Sequence, residues 1–115
     1  MLGLNEYQEK AMNTCLPACE NFSYMLLNLV GEVGEFAGKV AKAIRKDFAT
    51  IEANDLFDIP NDTITDLKSE AGDILWQLAG LCHVMGWTLE DVAQTNLDKL
   101  ANRKKEGTII THTDH

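Results

Sequence analysis

The chain predicts an all-α fold, a four-helix bundle formed as one domain over residues 1–115. Three observations lead there. Two long segments repeat apolar residues at i, i+3, i+4 and i+7, the spacing of a helix with one buried face. Pro17, Pro60, Gly86 and Gly107 fall where those helical patterns should start or stop. Finally, 115 residues at 45% hydrophobic and 24% charged suit one globular domain and leave no room for a second.

The first helix is expected over Leu4–Leu16, ended by Pro17, which cannot continue a helix interior. The second opens at Asn21, whose side chain can cap it, and runs to Lys46. Its expected core face is Leu26, Leu29, Val30, Val33, Ala37, Val40 and Ile44, with Lys42, Arg45 and Lys46 in the last turn, where cations suit the helix dipole. A polar connection, Asp47–Asp62, follows and is long enough to hold a short turn of helix. The third helix enters after Pro60, with Asn61, Asp62 or Thr63 as its cap, and runs to Met85. Leu67, Ala71, Ile74, Leu78, Leu81 and Met85 are its expected interior, and Gly86 ends it. Thr88 caps the fourth helix, which reaches Lys105 or Glu106 before Gly107. The tail, with His112 and His115, carries no pattern.

The formal charge of −8 argues against a general binder of nucleic-acid polymers, which needs a basic face. An anionic ligand would then need a metal and a few local cations. The opening MLGLNEYQEK turns polar too early for a signal peptide, and no apolar run is long enough for a membrane span. Cys15, Cys19 and Cys82 are an odd set without a paired framework; a zinc site from them and His83 lacks a tight ligand pair. Reduced thiols in a cytoplasmic protein are the expectation.

The chemistry is concentrated in two acidic pairs. Glu32 and Glu35 lie in GEVGEFAGKV, and Glu70 and Asp73 in KSEAGDILWQ. Each pair has i,i+3 spacing, so both carboxylates leave one side of a helix. On a helical wheel with Val33 at zero, Glu32 falls near roughly −100° and Glu35 near roughly −160°, beside Asn28 and Lys39. With Ile74 at zero, Glu70 falls near roughly −40° and Asp73 near roughly −100°, with Asp66 and Gln77 between them. Glu70 thus sits almost on the buried face, where an uncompensated charge is costly. Four carboxylates gathered between two antiparallel helices would repel one another unless divalent ions joined them. All-oxygen ligands suit Mg²⁺ or Mn²⁺ better than zinc. A single acidic pair is commonly just a solvated stripe; two pairs on consecutive helices beside the core point to a cation site.

Gly31, Gly34 and Gly38 form a strip on the second helix, each costing about 1 kcal/mol against alanine. Close helix approach explains such a strip, and a subunit contact explains it equally. Asn96, Lys99 and Arg103 align on the fourth helix, a solvated stripe by default but a suitable phosphate contact beside a metal. Trp76 faces away from the expected core, toward a subunit interface or a stacked base. His83 is expected to be structural or exposed.

These motifs resemble the MazG-like, all-α nucleoside triphosphate pyrophosphohydrolases. The likeness rests on E-x-x-E followed by E-x-x-D, on the GEVGE and EAGDILW contexts, on NLDKLANRKKEG from Asn96, and on Tyr7-Gln8 in the first helix. The resemblance implies Mg²⁺-dependent hydrolysis of a nucleoside triphosphate to its monophosphate and pyrophosphate. It implies Glu32, Glu35, Glu70 and Asp73 as metal ligands, with Glu32 or Glu35 acting on the attacking water. Lys99, Arg103 and Lys39 would contact phosphates, Asn96 matches the family's asparagine position, and Asn28 would touch the nucleotide. It also implies a homo-oligomer, dimer or tetramer. The Asp47–Asp62 segment departs from the pattern and bears on which base is admitted. The related dUTPases and phosphoribosyl-ATP pyrophosphohydrolases use similar carboxylates, so the motif speaks to reaction type more than substrate. Two rivals remain: a non-catalytic helical interaction module, and a redox di-metal bundle, which lacks the Glu-x-x-His arrangement such sites use.

Overall fold

The computed structural model describes residues 1–45 and 61–107. Their architecture is all-α, with no strand among the described residues. The helices are α1 (Leu4–Met12), α2 (Phe22–Arg45), α3 (Asn61–Val84) and α4 (Leu89–Lys105), with a 3-10 turn at Pro17–Cys19. α2 and α3 pack together as a long hairpin, α1 lies against α3, and α4 rests on α1. Lys46, Pro60, most of the Asp47–Asp62 connection, His112 and His115 lie outside the described residues.

Most boundaries follow from local chemistry. Asn21 caps α2 as expected, its Oδ1 accepting from the Tyr24 N–H at 2.8 Å. Thr88 caps α4, its Oγ1 accepting from the Asp91 N–H at 3.1 Å. Gly86 takes φ 77°, a left-handed value that ends α3. The Gly86 N–H then reaches the His83 carbonyl at 3.0 Å and the Trp87 N–H reaches Cys82 at 2.8 Å, the two bonds of a Schellman cap. Gly107, at φ 70°, follows α4 in the same way. α3 is already helical at Asn61, so Asn61, Asp62 and Thr63 form its first turn instead of its cap.

The first helix stops at Met12, a turn before Leu16. Leu16 precedes Pro17 and is driven to extended backbone, φ −75° and ψ 146°. Thr14 assists, because its hydroxyl and its N–H both bond back to the Ala11 carbonyl, at 2.6 and 3.0 Å.

The start of α4 is stitched to α1 by side chains. Its first N–H groups have no intrahelical acceptor. Gln8 Oε1 accepts from Leu89 at 3.0 Å, Asn5 Oδ1 accepts from Glu90 at 3.0 Å, and Thr88 takes Asp91. Gln8 is buried, and its Nε2 also donates to the carbonyls of Ala79 and Trp87, at 3.2 and 3.0 Å. An apolar cluster of Ala79, Cys82 and Leu89, with Tyr7, Met12 and Val92 against it, fills the junction.

The core faces differ from the periodicity reading. On α2, Leu29, Val40 and Ile44 are half-buried as expected, and Met25, Glu32, Phe36 and Ala43 are buried or half-buried with them, while Leu26, Val30, Val33 and Ala37 are exposed. On α3, Leu67 is buried and Ile74 and Leu81 are half-buried as expected, but Ala71, Leu78 and Met85 are exposed; Gln77, Ala79, Gly80 and Cys82 are buried instead. The cause is that α2 is apolar on two sides, so its periodicity does not say which side meets α3. A second correction concerns the glycine strip. Among the described residues a Cβ on Gly31, Gly34 or Gly38 would meet nothing within 4 Å, so close approach between the described helices does not explain them. The close approach is at Gly80, where a Cβ would stand 2.4 Å from Met25 Sδ, and Met25 is fully buried.

Candidate metal centre

Because Met25, Leu29 and Phe36 set the side of α2 that packs, Glu32 comes to lie on that side too, half-buried against α3. α3 turns Glu70 inward by the same logic, one turn after buried Leu67. The antiparallel hairpin then brings Glu32, Glu70 and Asp73 together: each offers an oxygen within 4.8 Å of the others. Glu35 stands outside that group and is exposed. A three-residue step rotates a helical side chain by about 60°, enough to carry it off the contact line.

The electrostatics of the group are those of crowded anions. Burial, and then the charges of Glu35, Asp73 and Glu70, push the Glu32 carboxyl above the ordinary glutamate value. Burial, followed by Asp73, likewise raises the Tyr7 phenol, which places α1 within electrical reach of the cluster. Glu32 Oε2 and Glu70 Oε2 are buried with no hydrogen-bond partner, and so is Gln77 Oε1. All three are acceptors, and orphaned buried acceptors cost about 1–3 kcal/mol each. A site rich in oxygen acceptors and poor in donors fits a hard divalent cation, Mg²⁺ or Mn²⁺, better than any hydrogen-bonding neutral group.

Lys39 provides the local cation. Its Nζ pairs with Asp66 Oδ2 at 2.5 Å and Glu70 Oε1 at 3.2 Å, and these bonds raise its proton affinity. Asn28, one turn before Glu32, is half-buried and donates to the Tyr24 carbonyl at 3.1 Å. Asn96 and Lys99 are exposed on α4, and Arg103 is half-buried on the same helix. Among the described residues α4 packs chiefly on α1.

Trp76 requires a correction. Its ring turns to α1, where Nε1 donates to the Ala11 carbonyl at 3.1 Å and to Thr14 Oγ1 at 2.9 Å. It anchors the C-terminal end of α1 and is not free to stack on a base. His83 is exposed as expected, with Nε2 3.6 Å from Glu20 Oε2. Cys82 is buried in the apolar cluster, while Cys15 and Cys19 are half-buried. Among the described residues the grouped acids are Glu32, Glu70 and Asp73, and no cysteine–histidine set comes together.

Asp66 and Gln77, which the helical wheel sets between Glu70 and Asp73, also bear on this site. Gln77 is only 7% exposed, and Asp66 is the second anchor of Lys39.

The fold and the site together define a class: a helical protein with an acidic, donor-poor cleft between two antiparallel helices. The chain belongs to the MazG nucleotide pyrophosphohydrolase domain family, whose model matches residues 20–108. That span contains α2, α3 and α4 and leaves α1 outside. The chain is also similar to the Gene 37 protein of Mycobacterium phage L5, at 40% identity over 91 residues, covering 78% of this chain and 72% of that protein. No solved structure matches it. Among the described residues no helix is long and apolar enough to cross a membrane.

Proposed function

We propose that this chain hydrolyses a nucleoside triphosphate, NTP or dNTP, to the monophosphate and pyrophosphate with Mg²⁺, Mn²⁺ being able to replace it. The observation that carries this reading is the convergence of Glu32, Glu70 and Asp73 with two buried carboxylate oxygens lacking any donor. Membership of a pyrophosphohydrolase family supports the reaction class.

Glu32, Glu70 and Asp73 would hold the metal, with Glu35 closing the set from the exposed side. When bound, the ion neutralises charge on the phosphates and the leaving pyrophosphate and makes water more acidic. Water attacks the α-phosphorus, the bond to the β-phosphate's bridging oxygen breaks, and pyrophosphate departs. Glu32 or Glu35 takes the proton of that water. Glu35 suits the role because it is exposed and outside the group of three; Glu32 is the candidate from within that group. Lys99 and Arg103 bind phosphate oxygens, Asn96 joins them, and Asn28 faces the nucleotide from α2.

The protein works as a homo-oligomer in this reading. Leu26, Val30, Val33 and Leu75 are exposed on the hairpin, Val30 at 65%, and exposed apolar surface of this kind favours association. A second copy covering it would also explain the open glycine strip.

The test is pyrophosphate release from a panel of NTPs and dNTPs, with Mg²⁺ and with EDTA, for the wild type and Glu70→Ala. Metal-dependent pyrophosphate and monophosphate, lost in the variant, are expected. Release of phosphate instead would overturn the point of attack. No turnover by folded protein would leave a helical interaction module as the better reading.

A further inference from the structure

We propose that Lys39 is a positioning residue for Glu70, anchored by Asp66, and not a contact to substrate phosphate. The proposal rests on the metal reading above. Asp66 and Glu70 are one turn apart on α3, and Lys39 reaches across from α2 to both. Its side chain is 35% exposed and that of Glu70 only 13%, so the pair with Glu70 lies toward the inside of the hairpin.

The division of Glu70's oxygens gives Lys39 its role. Oε1 is paired with Lys39, while Oε2 is buried and has no partner. The carboxylate is therefore held from one oxygen and presents the other. A glutamate has three rotatable bonds, and a tether on one oxygen removes much of that freedom before an ion arrives. Asp66 performs the same service for Lys39, whose four-carbon stem is otherwise flexible.

Two effects of the ammonium oppose each other. Its charge repels a cation in the cluster, and its bond orients a ligand of that cation. Asp66 and Glu70 pair with the ammonium, and Glu32 and Asp73 gather on Glu70, so four carboxylates stand against one ammonium and the local field stays negative with Lys39 present. Groups that hold metal ligands in place commonly contribute tenfold to a hundredfold in affinity. Orientation therefore outweighs repulsion here. To bind a phosphate, Lys39 would have to leave two carboxylates at once, which argues against the role the family resemblance suggested for it.

The test measures Mn²⁺ binding by calorimetry and by the electron paramagnetic resonance of free Mn²⁺, beside KM for the best nucleotide. The full chain is used as wild type, Lys39→Met, Lys39→Arg and Asp66→Asn, each checked for folding by circular dichroism. Lys39→Met should weaken Mn²⁺ binding by on the order of tenfold or more, and Lys39→Arg should restore most of it. Asp66→Asn should weaken it in the same direction, and it serves alone if Lys39→Met does not fold. A phosphate-binding Lys39 gives the opposite pattern: Lys39→Met raises KM with Mn²⁺ affinity unchanged, and Asp66→Asn frees the ammonium and lowers KM. That pattern overturns the proposal, as does tighter Mn²⁺ binding by Lys39→Met. If the wild type binds no Mn²⁺, the metal site itself falls; if it binds and Lys39→Met binds equally, only the role of Lys39 falls.

Discussion

Replacing Glu32 with glutamine should stabilise the metal-free protein and abolish its response to divalent ions. Glu32 faces Glu70 and Asp73 across the hairpin, its Oε2 is buried without a partner, and its proton affinity is raised by burial and three neighbouring carboxylates. A carboxyl whose folded pKa is raised contributes stability at pH below its unfolded value and loses it as pH climbs through the folded value. At neutral pH the ionised side chain is thus a liability in the metal-free state. Glutamine keeps the shape, removes the charge and adds an N–H₂ that can donate to Glu70 or Asp73. A hydrogen bond to a charged acceptor contributes about 1.5–3 kcal/mol, and solvent at the half-open site trims this to about 1–2 kcal/mol. In a domain of this size that corresponds to a rise in Tm of about 4–8 °C.

The metal reverses the ranking. An ion at one hundred times its Kd stabilises the folded state by about 2.7 kcal/mol, which the variant should forgo. Thermal unfolding by circular dichroism, in EDTA and in MgCl₂, reads both effects. In EDTA the variant should melt higher at neutral pH. The gap should close as pH falls below the ordinary glutamate value of 4.5, where Glu32 is neutral in both states. In MgCl₂ the wild type should overtake. A variant that melts lower in EDTA, or that gains as much from Mg²⁺ as the wild type, would refute the reasoning.

Gln8→Leu removes one hydrogen bond into buried Leu89 and two to carbonyls; urea unfolding should show a loss of about 2–4 kcal/mol. Gly80→Ala sets a Cβ against the flexible end of fully buried Met25; overpacking of about 1–3 kcal/mol, less alanine's helix advantage of about 1 kcal/mol, predicts a net cost of about 0–2 kcal/mol on denaturation, partly recovered by adding Met25→Val. Gln77→Met replaces an orphaned buried acceptor with a near-isosteric apolar chain, and the same measurement should show a gain of about 1 kcal/mol. Val30→Lys places a charge on the exposed side of α2, and light scattering should show a smaller assembly than the wild type with helicity unchanged.

What was legible in the chain depended on how far each signal had to reach. Asn21, Thr88, Gly86 and Gly107 act on backbone groups within a few residues, and each marked its boundary correctly. The early end of α1 was local too, since Leu16 precedes a proline, but its weight was misplaced onto Pro17 itself. Gln8 and Asn5 capping α4 could not be read, because they satisfy N–H groups more than eighty positions away and nothing in their neighbourhood says so. The acidic pairs were legible as pairs. Which members meet was not, because spacing on one helix leaves open how the other is rotated against it. The hairpin's rotation brings in Glu32 and leaves Glu35 outside.

That same rotation explains why Leu26, Val30, Val33 and Ala37 lie outside the core while Leu29, Val40 and Ile44 lie in it. Val30 and Glu32 are two positions apart, about 160° around the helix, so a helix that turns Glu32 toward α3 must turn Val30 away. The pattern is apolar on both sides: one meets α3, where the acids sit among Met25, Leu29 and Phe36, and the other is left uncovered by the described residues. A second copy bound on the Val30 side would bury apolar surface without lying across the carboxylates. Assembly and substrate access would then use opposite sides of one helix, and a change that dissociates the protein through Val30 need not alter how Glu32, Glu70 and Asp73 meet.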